Sequence, residues 1–167
     1  MSAPLLEVDD LSRRFGGLKA VEGLSLHVGK GEIVGLLGPN GSGKTTALNL
    51  ISGALQPDRG SVKLDGQETA GASNFKVARL GIARTYQLVR LFKTMSVLEN
   101  VVAGMSFTHE RRFGTEANAD ALELLERVGL AARASRRAED LTYIDQKRLE
   151  LARCLASRPR GLLLDEG

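Results

Sequence analysis

One stretch constrains this chain more than any other. Gly38-Pro39-Asn40-Gly41-Ser42-Gly43-Lys44-Thr45 fits the pattern G-x-x-x-x-G-K-[ST] at every position. Glycines at this spacing let the backbone curl until consecutive N–H groups point inward. A helix starting at the end of the curl adds its partial positive charge. The flanks agree: Ile33-Val34-Gly35-Leu36-Leu37 is a continuous apolar run, which predicts a strand buried on both faces, and residues 45–52 are compatible with a helix. In such a cradle Lys44 reaches terminal phosphates and the Thr45 hydroxyl ligates Mg²⁺. Hydrogen bonds to charged groups contribute about 1.5–3 kcal/mol each, so a few such donors give useful affinity for a triphosphate.

A second feature narrows the chemistry. Leu162-Leu163-Leu164-Asp165-Glu166 is an apolar strand ending in two carboxylates. Asp165 at a strand end can hold Mg²⁺ through water, and Glu166 can act as general base on an attacking water, an effect of about 10²–10⁴-fold in rate. Two acidic residues at an exposed strand end are common by themselves. Their weight comes from sharing a chain with the phosphate loop.

The rest of the chain sets limits. At 167 residues, 43% hydrophobic and with net charge +3, it has the make-up of one folded domain and not of a disordered chain. No window approaches the roughly 18 apolar residues of a membrane span, and the first ten residues lack the pattern of a signal peptide. The single Cys154 excludes a disulfide framework and a cysteine zinc site, and points to a reducing compartment. Its place on the apolar-leaning side of a helix makes it a buried structural thiol.

Strands are predicted at Leu5-Leu6-Glu7-Val8, Leu24-Ser25-Leu26-His27-Val28 and Ser61-Val62-Lys63-Leu64. Ser96-Val97-Leu98-Glu99 is a capping box opening a helix that runs to about Met105. Residues 116–128 place Ala121, Leu124, Leu125 and Val128 on one face, with Gly129 closing the helix. Residues 145–157 do the same with Leu149, Ala152, Leu155 and Ala156, and Arg158-Pro159 ends that helix. A strand follows at residues 161–165. The sum is an α/β fold with a helical insertion.

Both motifs, with the segments between them, resemble the nucleotide-binding subunit of ABC transporters, and within it the branched-chain amino acid uptake type. The residues that carry the resemblance run from Leu11 to Val21 and include Leu50-Ile51-Ser52-Gly53, Pro57-Asp58-Arg59-Gly60, Gly81-Ile82-Ala83-Arg84-Thr85-Tyr86-Gln87, Leu91-Phe92 and Val97-Leu98-Glu99-Asn100-Val101. The resemblance covers essentially the whole chain. It implies a P-loop NTPase fold with an N-terminal antiparallel β segment and a helical signature subdomain over about residues 93–157. It also implies that Phe15 stacks on adenine and that Thr46 joins Lys44 and Thr45 at the phosphates and metal. Gln87 would sense Mg²⁺ and the attacking water, with Glu166 as base. The implied cofactors are ATP and Mg²⁺. The implied partners are a second ATP-binding subunit, the same or a sister, transmembrane permease subunits, and indirectly an external solute-binding protein. The implied place is the cytoplasmic face of the inner membrane, peripherally, and the implied cargo is amino acids.

The sequence departs from the family pattern in three places. The loop that would reach across a dimer to the other subunit's nucleotide reads Leu141-Thr142-Tyr143-Ile144-Asp145-Gln146, with Ile144 where the family has glycine. Gly167 stands where proline is usual. The chain then ends, before the further strand and switch histidine of the family, so the core is expected to lack its C-terminal part and to carry an open strand edge. Neither His27 nor His109 sits where the switch histidine would be. These departures keep a second reading open, a module that binds ATP without turning it over. A nucleic-acid ATPase is disfavoured: aromatic residues are 4% of the chain, and Arg111-Arg112 and Arg136-Arg137 read as solvated helical faces.

Overall fold

The computed structural model describes residues 3–106 and 114–165, and divides into two units, Met1–Leu80 and Gly81–Gly167. Helices are α1–α5 and strands β1–β6 in chain order.

Alternating side chains build the sheet of the first unit. β1 (Leu6–Phe15) pairs antiparallel with both β2 (Leu18–Val28) and β3 (Arg59–Leu64), and β4 (Gln67–Glu68) pairs with β3, in the order β2-β1-β3-β4. Leu6 and Val8 turn to the buried face beside Val62 and Leu64 of β3. A register shift after Val8 places Asp9 and Asp10 outward together and returns Leu11 to the interior, where it is fully buried. Asp10 takes a left-handed φ of 46° at this bulge, a conformation aspartate tolerates better than most residues. The strands predicted from short alternating runs are therefore longer than the runs. α1 (Lys44–Ile51) buries Ala47, Leu50 and Ile51. α2 (Asn74–Leu80), which buries Val77, had no counterpart in the sequence reading.

One prediction is corrected. Residues 33–37, read as a strand buried on both faces, form no strand. Ile33 is 98% exposed and Leu37 93%. An apolar run becomes a strand only beside a partner that takes its N–H and C=O groups. Among the described residues, no strand pairs with it.

The second unit is helical around one apolar cluster. α3 (Val97–Met105) contributes Val97, Val101 and Met105, and α4 (Thr115–Arg127) contributes Ala117, Ala121 and Leu125. α5 (Tyr143–Ala156) adds Leu149, Ala152 and Ala156. The predicted faces are those found, with Leu124, Val128 and Leu155 only partly buried. The capping box is present: the Ser96 hydroxyl accepts from Glu99 N at 3.1 Å and the Glu99 carboxylate accepts from Ser96 N at 2.7 Å. The Ser96 N–H, first, and then the Ser96 hydroxyl, both acting on the Glu99 carboxyl, hold it below its ordinary range. Asn100, fully buried, ties the preceding turn by accepting from Phe92 N and donating to the carbonyls of Phe92 and Ser96. β5 (Ile82–Arg84) and β6 (Gly161–Leu163) pair in parallel as a two-stranded sheet.

Two tests follow from this packing. A Cβ on Gly104 of α3 would lie 2.6 Å from the carbonyl oxygen of Arg153 on α5. Gly104→Ala should therefore lower unfolding stability in urea by about 1–3 kcal/mol, whereas an ordinary helix-interior Gly→Ala change is stabilising. Cys154 is buried and donates to Arg84 O at 3.2 Å, and burial pushes its thiol from 9.0 up to about 11. The native state thus binds this proton more tightly than the unfolded chain. Stability from it is complete below pH 9 and should fall by up to about 1.4 kcal/mol per pH unit between pH 9 and 11. Cys154→Ala should flatten that slope in pH-dependent urea melts.

Candidate functional site

The phosphate loop closes on glycine geometry. Gly43 is the N-cap of α1 with φ 90°, and a Cβ there would sit 2.1 Å from the carbonyl oxygen of Ala20. Only glycine fits. The Gly43 carbonyl starts the helix by accepting from Ala47 N at 2.8 Å, and Ser42 N reaches Pro39 O at 3.1 Å. Among the described residues no side chain caps α1, and no acidic residue lies in its first turn. A helix start of this kind, presented on an exposed loop, suits an anion. Lys44 folds over the loop: its Nζ donates to Gly38 O at 2.7 Å and Pro39 O at 2.9 Å. The ammonium therefore lies against the turn formed by Gly38, Pro39, Asn40, Gly41 and Ser42. Thr45 is exposed and Thr46 half-buried on the first turn of α1. The donor set fits a nucleotide phosphate and a hard cation that prefers oxygen ligands.

Phe15 ends β1 opposite Leu18, 44% exposed, with the Arg13 guanidinium 5.2 Å from its ring centroid. It is a surface ring and not a core residue. His27 is exposed on β2 opposite Glu7.

In the second unit β5 and β6 bring the other candidates together. Asp165 lies just beyond β6, buried, with its Oδ2 2.7 Å from the Arg84 guanidinium at the end of β5. Thr85 links the same two segments: its N–H donates to Leu163 O, and its hydroxyl accepts from Asp165 N at 3.2 Å. A carboxylate so held is not the solvated strand end that the sequence alone allowed. Metal contact through water would require it to share or leave Arg84. Glu166 and His109 lie outside the described residues. Gln87, expected to end a strand, sits three residues past β5 on an exposed loop. Its carbonyl and that of Tyr86 each accept from Lys147 Nζ at 3.0 Å.

The loop at residues 141–146 opens α5. Helix starts two residues earlier than predicted, because Thr142 is a working N-cap whose hydroxyl accepts from Asp145 N at 3.3 Å and donates to Asp145 Oδ2 at 2.9 Å. Leu141 is buried, and Gln146 donates back to Leu141 O at 3.1 Å. Asp145 is 4% exposed and is paired with Arg133 and, at 3.3 Å, Arg148. Tyr143 and Ile144 project outward, 61% and 65% exposed. Three residues near these positions escaped the sequence reading: Arg84 as a partner of Asp165, and Lys147 and Glu150 as partners of the Gln87 loop. Glu150 had a faint signal. It lies four residues before Cys154, so one buried helical face contains both.

Fold and loop together define an α/β protein with a phosphate-binding loop at a helix start. The family profile described as ABC transporter matches residues 21–167. The chain is 46% identical to the high-affinity branched-chain amino acid transport ATP-binding protein BraF of Pseudomonas aeruginosa, over 99% of this chain and 70% of that protein. It is 44% identical to LivG of Escherichia coli, of the same description, over the same shares. The sulfate/thiosulfate import ATP-binding protein CysA of Bordetella bronchiseptica is 42% identical over 96% of this chain and 45% of its own length. Among solved structures, the ADP conformation of MJ1267, an ATP-binding cassette of an ABC transporter, superposes with TM-score 0.83 at 29% identity, covering 96% of this chain and 68% of that one. The dimeric MJ0796 cassette gives 0.85 at 27%, covering 96% and 73%. The chain belongs to the ABC transporter family, as an ATP-binding cassette of the ATP-hydrolysing kind.

Gly43 and Gly41 allow a matched test of the loop. Both have positive φ, but a Cβ on Gly41 meets nothing within 4 Å. Gly41→Ala should cost only the left-handed strain of about 1–2 kcal/mol. Gly43→Ala should cost more and abolish binding of a fluorescent ATP analogue. Equal behaviour of the two variants in urea melts and nucleotide titration would contradict the geometry described.

Proposed function

We propose that this chain binds and hydrolyses ATP to power import of amino acids, with branched-chain amino acids as the cargo class. The observation that carries the proposal is the loop at residues 38–46, which ends on an uncapped helix start that tolerates no side chain at Gly43. Gly38, Pro39, Asn40, Gly41, Ser42 and Gly43 surround the phosphates with main chain, and Lys44 swings from its carbonyl partners onto the terminal oxygens. Thr45 and Thr46 contribute hydroxyls, and Phe15 offers an exposed face to the base. Mg²⁺, when bound, neutralises developing phosphate charge; Thr45, Gln87 and Asp165 are the residues that would hold it. Glu166 takes the proton of the attacking water.

The helical part at about residues 93–157 presents the Leu141–Gln146 loop toward a second cassette, the same or a sister. That a similar cassette has a dimeric structure supports pairing with a second cassette. Permease subunits and an external solute-binding protein complete the assembly, which places the chain peripherally at the cytoplasmic membrane face. Among the described residues no helix is long and apolar enough to cross a membrane. The cargo rests on the names of BraF and LivG. CysA is nearly as similar, so the cassette core itself carries little cargo information.

Ile144 supports a second reading. A β-branched side chain stands exposed on the first turn of α5, where close approach of a phosphate to the backbone would be obstructed. On that reading the chain binds ATP and does not turn it over. Nucleotide titration beside phosphate release decides. Lys44→Ala should lose binding on either reading. Glu166→Gln should keep binding and lower release by about 10²–10⁴-fold if the protein is a hydrolase. Binding without release in the unaltered protein favours the second reading, and absence of binding sinks both.

A further inference from the structure

We infer that Lys147 and Glu150 of α5 are positioning residues that hold the Gln87 loop from both sides. The inference rests on the proposed role of Gln87 at metal and water. Residues 85–90 have no helix or strand of their own. On one side Lys147 Nζ donates to the carbonyls of Tyr86 and Gln87, 3.0 Å each. On the other the Glu150 carboxylate accepts from Arg90 N at 3.2 Å. Lys147 and Glu150 are three residues apart on a helix and therefore share a face. The loop is thus fastened to α5 ahead of and behind the Gln87 side chain.

The chemistry of Glu150 argues that this is more than packing. The residue is fully buried, and its second oxygen, Oε2, has no hydrogen-bond partner among the described residues. A buried carboxylate with one acceptor unmet is costly, and an apolar side chain of similar size is usually the more stable choice. Residues that break the local rule in this way concentrate where function demands them. Lys147 also lies with its ammonium 5.8 Å from the ring centroid of Tyr143, an exposed side chain of the Leu141–Gln146 loop. A continuous path therefore runs from the start of α5 through Lys147 to the Gln87 main chain. Whatever settles on Tyr143 bears on the placement of Gln87.

The test compares Lys147→Met, Lys147→Arg and Glu150→Leu with the unaltered chain. Hydrogen exchange of residues 86–90 should quicken roughly tenfold in Lys147→Met and Glu150→Leu, with α3 and α4 unchanged. Thermal stability of Glu150→Leu should hold or rise. Turnover in both should fall roughly 10–100-fold, with a higher Mg²⁺ requirement and unchanged ATP affinity, since a small misplacement of a contact residue acts on the rate. Lys147→Arg, which restores cation and donors, should recover most of the rate. Unchanged exchange in both variants overturns the inference, as does loss of turnover matched by loss of stability or of ATP affinity. A wild-type chain that binds no ATP sinks the functional reading alone. The exchange result then still decides for or against the clamp.

Discussion

Main-chain N–H and C=O groups outside helices and ladders must find partners or face water, and this chain is shaped by where it leaves them. At residue 43 no side chain is present to cap α1, because a Cβ would strike Ala20 O. The start of that helix is consequently left to whatever anion arrives. At residues 33–37 apolar side chains lie in solvent because no described strand takes the backbone beside them. At residues 86 and 87 the carbonyls are met by a lysine ammonium. The three cases are one rule with three outcomes: an open helix start, an unpaired apolar segment and a fastened loop.

Charge inside the second unit follows a related logic. Asp145, Glu150 and Asp165 are all buried, and each is held differently. Asp145 meets two arginines and the Thr142 hydroxyl, so it fixes the start of α5. Asp165 meets Arg84 at 2.7 Å and fixes the ends of β5 and β6. Removing one member of a pair buried on both sides, as Arg84–Asp165 is, costs about 3–5 kcal/mol, whereas the arginines on Asp145 are about half exposed. Among the described residues Glu150 has one main-chain donor on Oε1 and none on Oε2. It is the least compensated of the three, and the easiest to explain by what it holds in place.

The family likeness adds a constraint of its own. Identity of 42–46% extends across cassettes named for different cargoes, so overall likeness does not separate one cargo from another. Within this chain, the residues of the candidate site divide into a contiguous set and a dispersed set. The contiguous set is residues 38–46, where each member is next to the other in sequence. The dispersed set joins positions 84 and 165, 86–90 and 147–150, and 133, 142 and 145.

That division explains what the sequence revealed and what it withheld. Periodicity located α3, α4 and α5 and their buried faces, because amphipathic spacing depends on the helix alone. The capping box at Ser96 and Glu99 was legible for the same reason, since both partners sit within one turn. The phosphate loop was legible because its steric demands fall on neighbouring glycines. Residues 33–37 misled because an apolar run states a preference for burial, while a strand also needs a neighbour, which no local pattern supplies. Arg84, Lys147 and Glu150 were missed because their partners are 81, 60 or 61, and 60 positions distant. A charge at such a position looks like any solvated charge until folding buries it. The loop proposed to grip a nucleotide is written locally in this chain, and the contacts proposed to place Gln87 exist only once α5 has packed.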